Sequence, residues 1–294
     1  MPVSSVFESD NNPLDDEETI RDHINRVLRS KHRQNPETRL LFSIASFWFK
    51  TQIFNADRVP DRPCLFIGNH ALFGLDGFVV LPALNRELDR FPRPMGDKFL
   101  FTYPQVAKRL CRLGACMGHP AVASALMQHG EDLLVFPGGA HEAVKSKEQR
   151  YTLQWKQRLG FVRLAAQHDY PIVPFALVGP DEFYEYLMDS DSVVKALDRL
   201  GLWSESYRPD MVPPLLRGML GGPLPRPQPC FLSFAEPLYI EPPATKGTDG
   251  VSDKYLMEQR DEVATRIELE LEEMLAEQQQ QKTRLWWVRR LATL

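Results

Sequence analysis

The sequence lacks a long, uncharged apolar run. The longest one near its start is "LLFSIASFWF", residues 40–49, and ten residues are about half of what a membrane-spanning helix needs. The first residues also lack the basic and apolar regions of a secretory signal. We therefore expect a soluble or peripheral protein, located in the cytoplasm at a membrane surface.

Two further absences narrow the class of protein. Basic residues are not in excess, because 35 Lys and Arg face 39 Asp and Glu, for a net charge of −4. A nucleic-acid partner is therefore not expected. The four cysteines form no C-x-x-C pair and have no zinc spacing. Cys64 and Cys230 lie in apolar, strand-like runs and are predicted to be buried free thiols in a reducing compartment.

Short apolar runs alternate with helical segments in the middle of the chain. "CLFIGN" (64–69), "DLLVFPGG" (132–139) and "PIVPFALVG" (171–179) are typical of buried strands. Strands that alternate with helices form right-handed βαβ units. We predict an α/β fold with a mainly parallel central sheet flanked by helices, N-terminal helices and a long C-terminal helix.

The predicted organisation is one domain over residues 17–294, after a disordered acidic tail at residues 1–16. Three parts make up the domain: N-terminal helices (17–54), an α/β core (60–242) and a C-terminal helix with a basic, aromatic end (251–294). The sequence does not determine the oligomeric state.

Two segments are candidates for membrane contact. Residues 21–50 combine a basic helix with aromatic side chains, and the tail Lys282–Leu294 combines tryptophans with arginines. We expect Leu40, Leu41 and Ile44 in the first segment to pack on the domain core. For the tail, packing on the core and binding at a membrane interface both remain open.

Two groups of polar residues follow predicted strands. Asn69, His70 and Asp76 come after the first strand, and the run from Phe136 to Glu142 comes after another. In open α/β sheets, ligands bind beyond the carboxyl ends of the strands. If these two strands are neighbours, their loops lie close together.

His70 is suited to general-base chemistry near neutral pH. A carboxylate such as Asp76 on its other ring nitrogen would fix the tautomer and stabilise the imidazolium that forms. No G-x-S-x-G nucleophile motif occurs in the sequence. A His–Asp pair without a protein nucleophile is expected to activate an external one, a substrate hydroxyl or water.

The second loop supplies groups that could bind substrate. Gly138 and Gly139 allow close approach to the backbone, and N–H groups around Gly138–Ala140 could stabilise an oxyanion. Each of these residues also has a purely structural explanation. A metal site made of His70, Asp76, His141 and Glu142 fits no strong template, and we predict none. The predicted substrate-binding residues are Asn69, Phe136, Pro137, Gly138, Gly139, His141 and Glu142.

The two motifs in this order resemble those of the glycerolipid (lysophospholipid) acyltransferase superfamily. Asn69-His70-x5-Asp76 followed by Phe136-Pro137-Gly138-Gly139-x-x-Glu142 is most similar to the diacylglycerol-acyltransferase-like branch that includes the phytyl ester synthases. The resemblance implies transfer of a fatty acyl group from acyl-CoA or acyl carrier protein to a lipid or glycerol-type hydroxyl. It implies His70 as the base and Asp76 as its partner, with acyl-CoA as a co-substrate and no other cofactor.

The sequence departs from members with phosphate-bearing acceptors. Those members have F-P-E-G-T-R-S at the second motif, where this chain has Gly138 and His141. Phosphate recognition favours arginine, so a neutral or weakly charged acceptor is expected. Two alternatives remain: a thioesterase or lipid ester hydrolase that uses the same pair on water, and a non-catalytic lipid-binding protein.

Overall fold

The computed structural model describes residues 14–202, 212, 214–240 and 252–291, with residues 73, 140, 141 and 283–291 described by their backbone alone. Within this part of the chain, a seven-stranded sheet has the order β1-β9-β6-β2-β5-β3-β4, and β7 and β8 form a separate pair. The strands are β1 (Gln52–Phe54), β2 (Leu65–Gly68), β3 (Arg93–Gly96), β4 (Cys116–Met117), β5 (Leu133–Val135), β6 (Ile172–Val178), β7 (Glu185–Met188), β8 (Leu215–Arg217) and β9 (Phe231–Phe234).

The prediction of a mainly parallel sheet is confirmed. β2 lies between β5 and β6 and pairs in parallel with both, and β3 continues the parallel arrangement to β4. The exception is β9, which is antiparallel to β6 and parallel to β1. β1 and β9 therefore run opposite to β2, so β1 begins at the edge of the sheet where β2 ends.

Helices cover both faces of this sheet. They are α1 (Glu17–Leu28), α2 (Pro36–Phe49), α3 (Gly77–Leu88), α4 (Pro104–Arg112), α5 (Pro120–Gln128), α6 (Ala140–Ala143), α7 (Gly160–His168), α8 (Ser190–Arg199) and α9 (Asp253–Leu291). The predicted helical region 17–54 ends early, because Lys50 takes a left-handed conformation (φ 43°) that stops α2. Residues 52–54 then form β1.

Two apolar clusters form the core, one on each face of the sheet. Successive strand residues point to opposite faces. Accordingly Leu65 and Ile67 pack in the cluster under α1, α5, α7 and α9, whereas Phe66 packs in the cluster under α2 and α3. All three side chains are fully buried. β2, which carries the first motif at its end, is thus held rigidly at the centre of the molecule.

α2 buries a different stripe from the one predicted. Its buried residues are Thr38, Ala45 and Phe49, whereas Leu40 and Ile44 are 62% and 52% exposed. The expectation that Leu40 and Ile44 pack on the core is wrong. The helix carries more apolar positions than its contact with α3 can cover, and sequence periodicity does not say which stripe is covered.

Several other predictions concern the ends of the chain and its cysteines. All four cysteines are free and buried, which confirms the prediction for Cys64 and Cys230. Asp16, within the predicted tail, accepts a hydrogen bond from the Thr19 backbone N–H at 3.0 Å and caps α1. Residues 1–13 and the side chains of 283–294 lie outside the described residues. None of the described helices is long and apolar enough to span a bilayer.

Candidate active site

The two sequence motifs meet at the ends of neighbouring strands. Leu65–Ile67 of β2 pairs in parallel with Leu133–Val135 of β5, so the loop after each strand leaves the sheet at the same edge. The backbone N–H of His70 donates to Glu142 Oε1 at 3.3 Å, across 72 residues of sequence. The predicted proximity of the two loops is therefore present in the structure.

Asp76 lies under the His70 ring in a site built by the backbone. Asp76 is 1% exposed and its Oδ2 faces Nδ1 of His70. The same oxygen accepts from the Ala71 N–H at 2.7 Å, and Oδ1 accepts from the Gly77 N–H at 2.8 Å. Because Oδ2 can only accept, the ring carries its proton on Nδ1, which leaves the lone pair on Nε2.

The His70 ring is mostly enclosed, and its surroundings set its pKa. The side chain is 14% exposed. Burial lowers the pKa of His70, but the attraction and hydrogen bond to Asp76, aided by the carboxylate of Glu142, outweigh burial and raise it above its usual 6.5. His70 is thus a stronger base than a free histidine.

Phe136 fixes the orientation of the imidazole. Its ring stacks on His70 with centroids 4.7 Å apart and planes within 7°. Phe136 in turn meets Phe175 of β6 edge-on, with centroids 6.0 Å apart. The stacking on Phe136 and the hydrogen bond to Asp76 therefore hold the His70 ring in one orientation.

Asn69 is 1% exposed and is bonded to the sheet. Its side-chain oxygen accepts from the Leu177 N–H at 2.8 Å, and its nitrogen donates to the Leu177 carbonyl at 3.0 Å. Both ends of the amide are thus used to hold the end of β2 against β6. These contacts favour a positioning role over the substrate contact that we predicted for Asn69.

Glu142 is fully buried behind the glycine loop. A Cβ on Gly138 would overlap the Glu142 carboxyl group, so the glycine is required for this carboxylate to reach His70. Among the described residues, Glu142 Oε2 has no hydrogen-bond partner. Burial raises the pKa of Glu142 to about 7. The residue is therefore a proton acceptor or donor in the neutral pH range.

Gly139 shapes the turn and is not a free donor. Its φ of 57° and ψ of −144° are accessible essentially to glycine alone. Its N–H donates to the Phe136 carbonyl at 3.1 Å, which removes it from the predicted oxyanion donors. The Gly138 N–H has no acceptor within the described residues. Pro137 is buried in this turn, and the side chain of His141 lies outside the described residues.

A buried ion pair that the sequence did not indicate supports the His70 loop. Lys145 Nζ donates to the His70 carbonyl at 2.7 Å and pairs with Asp181 Oδ2 at 2.8 Å. Both side chains are at most 1% exposed. Asp181 also accepts from the Tyr151 N–H at 3.0 Å. Lys145 thus ties the first motif to the segment that follows β6.

Arg158 is a second residue that sequence reasoning missed. Its Nη1 lies 2.7 Å from the place where a Gly139 Cβ would be, and Arg158 is exposed. The glycine loop is therefore flanked by Glu142 on its buried side and by a cation on its outer side. Among the described side chains, no three His, Cys, Asp or Glu residues group as metal ligands.

Part of the chain matches a known protein family. Residues 50–178 match the family model Acyltransferase. An uncharacterized protein of Mycobacterium tuberculosis is 31% identical over 236 residues, which cover 78% of this chain and 63% of that protein. Phytyl ester synthase 1, chloroplastic, of Arabidopsis thaliana is 32% identical over 144 residues, which cover 47% of this chain and 20% of that protein.

One solved structure aligns with most of this chain. The crystal structure of the 1-acyl-sn-glycerophosphate (LPA) acyltransferase PlsC from Thermotoga maritima aligns with a TM-score of 0.45 and 15% identity, over 92% of this chain and 86% of that one. The chain spans less than two thirds of the length of the curated relatives named above. Residues 50–178 form an acyltransferase domain.

Proposed function

We propose that this chain transfers a fatty acyl group from acyl-CoA to the hydroxyl of a lipid or glycerol-type acceptor. The observation that carries the proposal is the His70–Asp76 pair, held beside the glycine loop at the carboxyl ends of β2 and β5. Nε2 of His70 is the free base of this pair, and no covalent acyl-enzyme is needed. The resemblance of both motifs to acyltransferases and the matched family model support the same reaction class.

The reaction proceeds by proton transfer and addition. Nε2 of His70 takes the proton of the acceptor hydroxyl as its oxygen attacks the thioester carbonyl carbon. Asp76 stabilises the imidazolium that forms. The tetrahedral intermediate then expels the CoA thiolate, which takes the proton back from Nε2. The products are the new ester and free CoA, and the base returns to its neutral form.

The Gly138 N–H is the proposed donor to the oxyanion of this intermediate. It has no acceptor within the described residues, whereas the Gly139 N–H donates to the Phe136 carbonyl. One well-placed oxyanion donor is worth about 10²–10³ in rate.

A neutral or weakly charged acceptor remains our proposal, and Arg158 makes it testable. The second motif itself carries no arginine. Arg158 nevertheless brings a guanidinium to the outer side of the loop. Comparing a long-chain alcohol with 1-acyl-glycerol 3-phosphate as acceptors, in the wild-type chain and in Arg158→Ala, distinguishes the two classes.

Membrane contact is proposed through the exposed face of α2. Leu40, Ile44 and Phe47 are 62%, 52% and 77% exposed and lie at i, i+4 and i+7 on one side of the helix. α2 ends just before β1, at the edge where β2 ends with His70. The end of the apolar face that carries Phe47 therefore lies at the catalytic edge, where a lipid acceptor has to enter.

The experiment that tests the proposal is product analysis with labelled acyl-CoA, with and without a lipid alcohol. A transferase yields labelled ester only when the alcohol is present. Free fatty acid at the same rate with or without alcohol would assign the chain as a hydrolase. Bound acyl-CoA with no product would make it a lipid-binding protein.

A further inference from the structure

A basic groove lies between the C-terminal half of α1 and α4. The C-terminal half of α1, the turn at residues 32–34 and α4 line this open groove, which has a volume of about 900 Å³. Four cations line it: Arg26, Lys31, Lys108 and Arg112. No Asp or Glu is among its lining residues. The volume lies in the range of small-molecule sites, and the lining has one sign of charge.

Three of these cations are unpaired within the described part of the chain. Arg26, Lys31 and Lys108 form no salt bridge there. Arg112 pairs with Glu37 at 2.7 Å, but the same carboxylate also pairs with Arg109 at 2.7 Å. The groove thus carries a net positive charge that its own walls do not neutralise.

This arrangement contrasts with basic residues elsewhere in the described part of the chain. Arg58, Arg163 and Arg266 each have a carboxylate partner within 3.2 Å. Like charges around one concavity repel each other and raise the local concentration of anions. A mixed set of arginine and lysine side chains is suited to phosphate groups.

We propose that this groove binds the nucleotide end of the acyl-CoA donor through its 3′-phosphate and pyrophosphate. This inference rests on the proposed function, because it takes acyl-CoA as the donor. α4 follows the end of β3 by a short turn at Lys98–Phe101, so its first residue, Pro104, lies near the catalytic edge. The extended pantetheine arm then leads from the groove across the ends of β3 and β5 to His70.

The charge of the groove also bears on the identity of the donor. Acyl carrier protein presents a pantetheine arm with a single phosphate and no nucleotide. The concave shape favours a compact ligand with several phosphates over a flat membrane surface. Binding of a nucleotide in the groove would therefore distinguish acyl-CoA from acyl carrier protein as the acyl donor.

The test is calorimetric binding of adenosine 3′,5′-diphosphate to the purified full chain. The expected result is saturable binding that weakens with added NaCl and falls at least about tenfold in Lys108→Glu and Arg26→Glu, the size of effect that one lost charged contact gives. The matched control is Lys195→Glu on α8, an exposed helical lysine outside the groove, which is expected to bind as the wild type does.

Two further arms separate this inference from the proposed function. His70→Ala is expected to bind the nucleotide as the wild type does while its turnover falls. Nucleotide binding by a wild-type chain that transfers no acyl group would contradict the proposed function and leave the groove assigned. Turnover of acyl-CoA with an unchanged KM in Lys108→Glu would overturn the groove and leave the function standing. Failure of the wild-type chain to bind the nucleotide would also overturn the proposal. So would charge-reversal variants that keep nucleotide binding but lose binding to phosphatidylglycerol vesicles, because the groove would then be a membrane contact.

Discussion

Removing Lys145 should damage both stability and catalysis, and a second substitution should separate the two effects. Lys145→Met leaves Asp181 charged, buried and without its cation. Both side chains are at most 1% exposed, and breaking one half of such a pair costs about 3–5 kcal/mol. The hydrogen bond from Lys145 to the His70 carbonyl is lost as well.

The double variant Lys145→Met with Asp181→Leu removes both charges. Replacing a buried ion pair by apolar side chains is often close to neutral, so we expect its free energy of unfolding within about 2 kcal/mol of the wild type. The His70 carbonyl remains without its donor, however. We expect kcat to fall about tenfold or more in this folded protein, with a smaller change in KM.

Urea unfolding and steady-state acyl transfer measure these two effects. The control is Arg90→Met, which breaks the partly buried Arg90–Asp132 pair near the start of β5 and should lower stability without changing kcat. A single variant within about 1 kcal/mol of the wild type would refute the energetic argument. Full kcat in the double variant would refute the positioning role of Lys145.

Three other predictions concern the site. Asp76→Asn presents an amide N–H where His70 Nδ1 needs an acceptor, so kcat should fall by about 10²–10⁴ in acyl transfer, and a loss under threefold would contradict the pairing. In the wild type, Glu142 has a pKa of about 7 when folded against 4.5 as the unperturbed value; the folded chain binds the proton more tightly, so stability should fall as pH rises from 4.5 to 7. In Glu142→Gln, the free energy of unfolding, measured with urea at pH 5 and pH 7, should fall less between these pH values than in the wild type. An equal fall in both proteins would exclude the raised pKa. Gly139→Ala, at φ 57° and with its Cβ 2.7 Å from Arg158 Nη1, should lose about 1–3 kcal/mol in thermal unfolding, and an unchanged melting temperature would count against the strained turn.

The membrane proposal has its own test in vesicle flotation. Phe47→Ser removes an apolar side chain that is 77% exposed, and we expect the bound fraction to fall. Leu202→Ser, which removes a 66% exposed side chain at the end of α8, is the matched control and should bind as the wild type does. Equal loss in both variants, or in neither, would exclude α2 as the membrane-facing element.

The sequence predicted the centre of the fold and the meeting of the two motifs. Strand patterns and turn residues are local signals, and the carboxyl ends of parallel strands lie at one edge. The closeness of the loops that carry His70 and Glu142 follows from these two facts. The antiparallel direction of β9 could not be predicted, because an apolar run such as residues 230–234 has the same pattern in either direction.

The contacts of Lys145 and Arg158 could not be predicted from the sequence, for a different reason. Lys145 meets His70 across 75 positions, and Arg158 meets Gly139 only because the segment between them folds back. No periodicity encodes such contacts. In a linear pattern, a lysine after the second motif is indistinguishable from a solvated charge, although here it is fully buried.

The buried stripe of α2 could not be predicted from the sequence either. Leu40, Leu41 and Ile44 are apolar, and periodicity alone allows them to face the core. The covered stripe is decided by the neighbour, α3, which packs on Ala45 and Phe49 instead. An apolar position thus indicates burial only where a partner element is available, and the remainder forms the exposed face that we assign to the membrane.

The most direct test of the account is single-turnover acyl transfer by His70→Ala, with His129→Ala as the control. His129 is exposed at the end of α5 and is remote from the two motifs. The account predicts a rate lower by about 10²–10⁴ for His70→Ala, as expected for loss of a general base, with folding and acyl-CoA binding retained, and no change for His129→Ala. A His70→Ala rate within about threefold of the wild type would contradict the assignment of His70 as the base.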